Sequence, residues 1–165
     1  MTISSINTPR LIIRPLTLAD ADFVIAQFNE PDVLNYIGDR EISTIDQAKH
    51  YIINGPQLSY KEHGIGSMAI CLKNHESQAI GLAGLLKRED LKYPDLGYSL
   101  LSQYYYCGYG KEAAKAVLAH YPQYSAILAQ VHPKNKTSKT LLEHLGFIYN
   151  RTNKAKTTDI FQLNR

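Results

Sequence analysis

Two glycines separated by a single residue, Gly108 and Gly110, stand directly before a run of strong helix formers in the stretch YYYCGYGKEAAKA. The strand-like segment LGYSLL lies just upstream, so the local order is strand, glycine turn and then a helix over residues 111–121. The first turn of a helix leaves backbone N–H groups unpaired at the positive end of the helix dipole, and glycines let an anion approach them closely. Residues 107–111 therefore predict either a phosphate cradle or a plain turn that requires positive φ.

The spacing of this loop does not fit the two familiar phosphate-binding glycine motifs. It cannot be aligned with GxxxxGK[ST], and Ala113 stands where GxGxxG has its third glycine. If the loop binds a phosphate, we therefore expect a ligand of a different kind from those that these two motifs hold.

The composition fits one domain over residues 1–165 with a single core, because 44% of the residues are hydrophobic and no linker or repeat divides them. Lysine and arginine are scattered along the chain, so no nucleic-acid partner is expected. The two cysteines lack CxxC spacing, which speaks against a metal site and a disulfide scaffold. No segment resembles a signal peptide or a membrane span, so we expect a cytoplasmic protein without a membrane partner.

The hydrophobic pattern predicts the element order β-α-α-β-β-β-α-β-α-β-β, with Pro31 ending the first helix and Gly146 ending the last. Short connections make the middle strands antiparallel, whereas the β-α-β passage through the glycine loop should add a parallel neighbour. We therefore expect an α/β fold with a mixed, mainly antiparallel sheet, helices on both faces and a central parallel pair. The two strands of this pair should splay and leave a cleft at their carboxyl ends.

The stretch AQVHPKNKTSKTLLEHLGF places polar residues at the end of the second parallel strand. Asn135 stands at the N-cap position of the following helix, and Ser138 stands three residues later. A plain cap needs only a hydrogen bond from the Ser138 amide to the Asn135 side chain. If the two parallel strands are neighbours, both residues also face the same opening as the glycine loop.

Motifs along nearly the whole chain resemble the GNAT N-acetyltransferases, in particular the branch of the ribosomal-protein-alanine acetyltransferases. The segment TPRLIIRPLTLADA is similar to TxRLxLRPLTxxDA of that branch, and LGYSLLSQYYYCGYGKEA is similar to its IGYWLxxxxWGKGYATEA. Its PxNxxSxxxLExLGF appears here with Asn135 and Ser138 in place. The family's glycine loop, Q/R-x-x-G-x-G/A, is met by Gly108 and Gly110, whereas its first position is Tyr105.

This resemblance implies an N-acetyltransferase that moves an acetyl group from acetyl-CoA to a primary amine. The glycine loop would bind the CoA diphosphate, the strand before it would pair with the pantetheine arm, and Asn135 and Ser138 would contact that arm and its sulfur. The tyrosine acid of other family members has no counterpart on the helix after Asn135, so Ser138 is the predicted acid for the leaving thiolate. The predicted cofactor-binding residues are Tyr98, Leu100, Cys107, Gly108, Tyr109, Gly110, Lys111, Asn135 and Ser138.

Three residues are candidates on the acceptor side. Asp95 begins the strand that would line it, and is either a proton acceptor in catalysis or a hairpin residue beside Pro94. Tyr36 is either part of the acceptor pocket or an exposed loop residue. His132 is either a base or a structural residue at a strand end.

Proton chemistry favours one class of acceptor. Freeing a peptide α-amine near neutral pH costs less than about 1 kcal/mol, whereas freeing a lysine-type amine costs about 4 kcal/mol. A chain without an obvious strong base therefore fits a protein or peptide N-terminal α-amine that attacks the thioester directly in a ternary complex. The alternatives are a small-molecule amine such as a polyamine, amino sugar or amino acid, and a CoA-binding module without catalysis. Either a monomer or a homodimer fits the sequence.

Overall fold

Within residues 3–75 and 78–165, which this computed structural model describes, eight strands form one mixed sheet. The strands are β1 (Ile6–Asn7), β2 (Leu11–Arg14), β3 (Ser67–Leu72), β4 (Ala79–Leu86), β5 (Asp95–Leu100), β6 (Ala126–Val131), β7 (Ile148–Asn153) and β8 (Thr158–Asn164). Their order across the sheet is β1-β2-β3-β4-β5-β6-β8-β7, and in the described ranges each neighbouring pair is antiparallel except β5 and β6. The predicted mixed α/β sheet with a central parallel pair is confirmed.

The α-helices of the described residues are α1 (Ala21–Phe28), α2 (Pro31–Tyr36), α3 (Ile45–Ile52), α4 (Leu58–His63), α5 (Tyr109–His120) and α6 (Lys136–His144). The prediction that Pro31 ends the first helix is wrong, because α1 already ends at Phe28 and Pro31 is the first residue of α2. Proline suits that position, since the first N–H of a helix has no intrahelical partner. The helix after the glycine loop begins at Tyr109, two residues earlier than expected, so Gly110 lies in its first turn. None of the helices in this part of the chain is long and apolar enough to cross a membrane.

Helices cover both faces of the sheet, as predicted, because successive side chains of a strand point to opposite faces. Ile70 of β3 belongs to the core cluster that contains Val117 of α5. Its neighbour Cys71 belongs to the cluster that contains Val24 of α1 and Ile52 of α3. The central strand β4 is buried along almost its whole length between these two layers.

An ion pair joins the end of β2 to the start of α1. The guanidinium of Arg14 donates to both carboxylate oxygens of Asp20, each at 2.8 Å, and the Thr17 N–H donates to the same carboxylate at 2.8 Å. Burial acts to raise the pKa of Asp20, but these hydrogen bonds outweigh it and hold the pKa below its usual value. The arginine and aspartate of the RPLTLADA segment thus have a structural role, which is to fix α1 over the sheet.

Candidate active site

The strands β5 and β6 separate after a single aligned pair of residues, Asp95 and Leu128. The Leu128 N–H donates to the Pro94 carbonyl at 2.8 Å. In a continuing parallel ladder the N–H of Gln130 would also bond to the backbone of β5. It donates instead to Oδ1 of Asp95 at 2.9 Å. A side chain therefore takes the place of the β5 backbone where the strands part, and the predicted splay is confirmed.

Tyr98 and Leu100 turn their backbone groups towards this gap. The Leu101 N–H donates to the Ile80 carbonyl of β4 at 2.9 Å, so the odd-numbered residues of β5 pair with β4. Because N–H and C=O groups alternate in direction along a strand, those of Tyr98 and Leu100 point the other way, towards β6. An extended ligand can add to such an edge in the manner of a strand.

A buried glutamine lies behind the end of β5. Gln27 of α1 is fully buried, and its Nε2 lies 3.4 Å from the Leu100 carbonyl. Its Oε1 has no hydrogen-bond partner among the described residues. Nothing in the local sequence pattern singles out this contact, because the two residues lie 73 positions apart.

The N-terminus of α5 forms one wall of the gap. Its N-cap, Gly108, has φ +81°, so the alternative of a turn that needs positive φ holds here. No side chain caps this helix in the described structure, so the first-turn N–H groups of Tyr109, Gly110 and Lys111 lack a capping partner. A twelve-residue helix with an uncapped first turn is also suited to bind an anion, so the two alternatives for the glycine loop are compatible.

Thr8 and Arg10, between the first two strands, brace this loop through Glu112 of α5, although none of the three had a predicted role. The carboxylate of Glu112 accepts hydrogen bonds from Thr8 Oγ1 at 2.6 Å, from the Arg10 N–H at 2.9 Å and from Arg10 Nε at 2.6 Å. Arg10 also donates to the Cys107 carbonyl at 2.9 Å and lies 4.6 Å from the ring centre of Tyr109. Burial acts to raise the pKa of Glu112, but these donors hold it below its usual value. Thr8, Arg10 and Glu112 all match the family patterns quoted above, and this match was the available signal for the contact.

The start of α6 forms the opposite wall. Oδ1 of Asn135 accepts the Ser138 N–H at 3.1 Å, so the predicted cap is confirmed, and Gly146 follows the helix with φ +91°, as predicted. The hydroxyl of Tyr98 lies 2.8 Å from Oγ of Ser138 and 3.2 Å from the Ser138 carbonyl. Burial raises the pKa of Tyr98 to about 12, so its phenol is protonated at neutral pH.

These walls enclose a cleft of about 620 Å³, a volume typical of ligand sites. Each predicted cofactor-binding residue lines it except Cys107, whose side chain is exposed and whose Sγ donates to the Tyr105 carbonyl at 3.4 Å. Lys134, in the loop before α6, and Lys136, the first residue of α6, also line the cleft, although the sequence gave no sign of this before the fold was known. Together with Lys111 they give it a positive charge, which suits a phosphate-bearing ligand.

Two tyrosines of the loop depart from the family pattern. Burial, together with the charge of Asp32 and a hydrogen bond to it, raises the pKa of Tyr105 to about 12. Tyr106 stands where the pattern has glycine, and its φ is +60°, in the left-handed region that bulky residues rarely adopt. Its side chain is 96% exposed at the rim of the cleft.

A second cleft, also of about 620 Å³, opens on the other side of the splayed strands. Five residues line both clefts, namely Tyr36, Ile37, Tyr98, Ser99 and Ser138. The two clefts therefore meet around the hydroxyl pair of Tyr98 and Ser138. A cofactor in the first cleft and an acceptor in the second would therefore meet at these residues.

Asp95 lies in the wall of the second cleft and is only 2% exposed. Its Oδ2 pairs with Nε of Arg88 at 2.5 Å, and its Oδ1 accepts the Gln130 N–H. Burial raises the pKa of Asp95, and Arg88 and the Gln130 N–H oppose that rise. Because both oxygens are engaged, these contacts favour the structural alternative over the proton acceptor.

Tyr36 and His132 contact each other at the junction of the clefts, with ring centres 5.5 Å apart. Nδ1 of His132 accepts the Lys134 N–H at 3.2 Å. This hydrogen bond assigns the proton of the neutral ring to Nε2, which then has no lone pair to accept a proton from an amine. The contact therefore favours the structural alternative for His132. Across residues 3–75 and 78–165, no cluster of three or more His, Cys, Asp or Glu residues could hold a metal ion.

The chain is similar to known proteins in both sequence and fold. The family model described as acetyltransferase (GNAT) domain matches residues 10–148. YoaA of Bacillus subtilis, described as an uncharacterized N-acetyltransferase, is 27% identical over 149 residues, which cover 86% of this chain and 81% of YoaA. An acetyltransferase from Agrobacterium tumefaciens superposes with a TM-score of 0.85 at 19% identity, over 100% of this chain and 96% of its own. RimL, a ribosomal L7/L12 alpha-N-protein acetyltransferase in complex with coenzyme A, superposes with a TM-score of 0.83 at 11% identity, over 98% of each chain. The two solved structures share the fold.

Proposed function

This chain belongs to the GNAT acetyltransferase family and is an N-acetyltransferase, and we propose that its acceptor is the α-amine of a protein or peptide N-terminus. The observation that carries the proposal is the junction of two clefts at Tyr98 and Ser138. One cleft has the features of an acetyl-CoA site, and the other approaches the same point from the acceptor side. The similarity to RimL, which is named for action on a protein α-amine, supports this class of acceptor.

The first cleft suits acetyl-CoA in both charge and backbone geometry. The uncapped N–H groups at the start of α5 would hold the diphosphate, and Lys111, Lys134 and Lys136 would add positive charge. Cys107 would contribute only its backbone, because its side chain is exposed outside the cleft. The free edge at Tyr98 and Leu100 would pair with the pantetheine arm, and the N–H of Leu100 would donate to the oxygen that gains charge during transfer.

The pair of Tyr98 and Ser138 would serve the leaving group. Acetyl-CoA supplies the thioester, and transfer of its acetyl group leaves a thiolate that must be stabilised or protonated. When the Tyr98 hydroxyl donates to Oγ of Ser138, the proton of Ser138 is free to point into the cleft. Ser138 then donates to the thiolate, and Tyr98 fixes the direction of that donation and stabilises the serine oxygen.

The acceptor side lacks a free strong base among the described residues considered above. Asp95 is held by Arg88 and Gln130, and Nδ1 of His132 is occupied by the Lys134 amide. An α-amine is partly unprotonated near neutral pH and needs only water to take its proton, whereas a lysine-type amine needs a base. We therefore assign Asp95 a positioning role, with Tyr36 lining the space for the acceptor.

Direct transfer fits the position of the cysteine in the glycine loop. The Cys107 thiol lies outside the cleft, on the loop that would hold the diphosphate, and the pantetheine arm separates that end of acetyl-CoA from its thioester. A covalent acetyl-cysteine is therefore not expected. Intersecting initial-velocity lines and a Cys107→Ala variant nearly as active as the parent would support direct transfer, and parallel lines with a trapped acetyl-enzyme would contradict it.

The acceptor is tested by release of free thiol from acetyl-CoA in the presence of peptides, polyamines, amino sugars and amino acids. A peptide with a free N-terminus should be acetylated, and the same peptide with a blocked N-terminus and an internal lysine should not. Turnover with a polyamine or an amino sugar, and none with any peptide, would overturn the proposed acceptor but leave the acetyltransferase activity standing.

A further inference from the structure

Tyr106 is the one residue of the glycine loop whose conformation neither the turn nor the core explains. Its φ of +60° is unfavourable for a residue with a bulky side chain, and a glycine would adopt it without strain. With 96% of its surface exposed, it also gains almost nothing from packing. A strained backbone that holds an aromatic ring in solvent points to a partner for that ring.

The ring stands at the outer end of the cofactor cleft. It lines the cleft two residues before Gly108, the N-cap of α5. Ser138 marks the inner end, where the two clefts meet. If the thioester lies at Ser138 and the diphosphate at the start of α5, the adenosine part of acetyl-CoA continues outwards, past the side of the loop that carries Tyr106.

One contact orients the ring and another fixes the residue that follows it, while Tyr106 stays 96% exposed. Tyr105 meets Tyr106 edge to face, with ring centres 6.2 Å apart and an angle of 87° between the planes. The residue that follows is fixed by the hydrogen bond from Arg10 to the Cys107 carbonyl at 2.9 Å. An aromatic side chain prearranged in this way loses little freedom when a flat ligand stacks on it.

We propose that Tyr106 stacks on the adenine ring of acetyl-CoA and so forms an adenine subsite outside the diphosphate cradle. The inference rests on the proposed function of the first cleft. Stacking of a base on an aromatic side chain is a strong and general interaction, because every base offers a π-face. The left-handed backbone of Tyr106 is then the conformational cost of placing the ring where the adenine leaves the cleft.

Calorimetric titration with two ligands tests this subsite. Acetyl-CoA carries the adenine, and acetyl-4′-phosphopantetheine retains the thioester, the arm and one phosphate but lacks the adenosine. Tyr106→Gly should weaken acetyl-CoA binding about tenfold, leave the binding of acetyl-4′-phosphopantetheine unchanged, and raise the Tm of the ligand-free protein by about 2–4 °C through relief of strain. Tyr106→Phe should bind both ligands as the parent does.

A matched control separates strain from stacking. Glu41 is an exposed loop residue with φ +54°, and it does not line the cofactor cleft. Glu41→Gly should also raise the Tm but should leave the affinity for acetyl-CoA unchanged. If both variants raise the Tm and only Tyr106→Gly loses affinity, the loss comes from the ring and not from the change to glycine.

Fluorescence gives an independent readout, because the chain contains no tryptophan. Tyr106→Trp introduces a single tryptophan at the proposed subsite. Acetyl-CoA should quench its fluorescence through contact with adenine, and acetyl-4′-phosphopantetheine should not.

Three results would overturn the inference and leave the proposed function standing. Unchanged acetyl-CoA affinity in Tyr106→Gly would show that the ring is not used. An equal loss with both ligands would show that Tyr106 supports the loop and does not contact adenine. If the parent binds acetyl-4′-phosphopantetheine but gains nothing from the adenosine part, the subsite is absent while the proposed function stands. A parent that binds neither ligand would instead refute the proposed function, and the subsite with it.

Discussion

The hydroxyl of Tyr98 on β5 lies 2.8 Å from Oγ of Ser138 on α6, at the point where the two clefts of this acetyltransferase meet. The two residues lie 40 positions apart in the chain. Their contact joins β5 to the start of α6, and it places a buried, protonated phenol against the hydroxyl that we assign to the leaving group.

Ser138→Ala should lower kcat at least tenfold and leave the Kd for acetyl-CoA within about twofold, because the hydroxyl acts on the charge that develops during transfer. Tyr98→Phe should lower kcat about fivefold, as expected for the loss of one hydrogen bond of about 1 kcal/mol. Steady-state kinetics and calorimetry measure both. Tyr149→Phe is the matched control, since its hydroxyl bonds to Thr152 at 2.9 Å on an exposed strand, and it should change neither. Full activity in Ser138→Ala would remove Ser138 from the mechanism.

Alanine at the two loop glycines should change stability in opposite directions. At Gly108 the φ of +81° strains any L-residue, and a Cβ would lie 3.2 Å from Nη2 of Arg10, so Gly108→Ala should lower the Tm by several degrees. At Gly110 a Cβ would meet the side chains of Leu100 and Leu141 at an ordinary 3.7 Å, and alanine favours the helix. Gly110→Ala should therefore raise the Tm slightly, while the larger side chain of Gly110→Val should weaken acetyl-CoA binding. Equal Tm changes at the two positions would contradict this account of the loop.

Asn135→Asp should separate the cap from the cofactor contact. An aspartate accepts the Ser138 N–H as well as an asparagine does, so the Tm should stay within about 1 °C. The KM for acetyl-CoA should rise several-fold, because the amide donor is lost and a negative charge is added beside the cofactor arm. Asn135→Ala, which also removes the cap, should lower the Tm as well. If the kinetics of Asn135→Asp match those of the parent, Asn135 is only a helix cap.

Asp95→Asn should distinguish a positioning residue from a base. Asparagine can still accept the Gln130 N–H, so the gap between β5 and β6 should persist. We expect kcat/KM to fall less than tenfold with the acidic limb of its pH profile unchanged. The loss of a general base would cost about 10²–10⁴-fold and would remove that limb. A loss of that size would restore Asp95 as the proton acceptor.

The pH dependence of stability should have opposite signs at two buried aspartates. Burial raises the pKa of Asp95 in the folded state. The stabilisation that Asp95 contributes is therefore fully present below its unfolded pKa and is lost as pH rises through its folded pKa. Burial acts to raise the pKa of Asp20, but Arg14 and Thr17 together outweigh it and lower the pKa. The stabilisation that Asp20 contributes is therefore present above its unfolded pKa and is lost as pH falls through its folded pKa. Urea unfolding measures the free energy of unfolding from acidic to neutral pH. As pH rises, the parent should become less stable relative to Asp95→Asn and more stable relative to Asp20→Asn. The same sign for both variants would be incompatible with these environments.

From β3 to β8 the sequence alone determined the order of the strands and α-helices, the parallel neighbour created by the β-α-β passage, the Asn135 cap and the two helix-flanking glycines, Gly108 and Gly146. Before β3 the prediction of one strand and two helices is wrong, because the described residues there form two strands and four α-helices. The elements, the cap and the glycines depend on residues a few positions apart, where hydrophobic period and cap or turn chemistry act directly on the backbone. The parallel neighbour follows from the connection rule for a β-α-β passage. Pro31 shows the limit of such local rules, because a proline fits the first turn of a new helix as well as the end of an old one.

Only the tertiary structure decided which distant polar groups meet. The pairs Tyr98–Ser138, Asp95–Gln130 and Arg10–Glu112 lie 40, 35 and 102 positions apart. Each contact depends on strand register and on the angle at which a helix leaves the sheet, and no local pattern of residues specifies these. The same reason explains Asp95, which the sequence left as either a proton acceptor or a hairpin residue. Its contacts favour the structural role only because the splay of β5 from β6 leaves the Gln130 N–H without a partner on the β5 backbone, and the Asp95 carboxylate accepts that N–H instead.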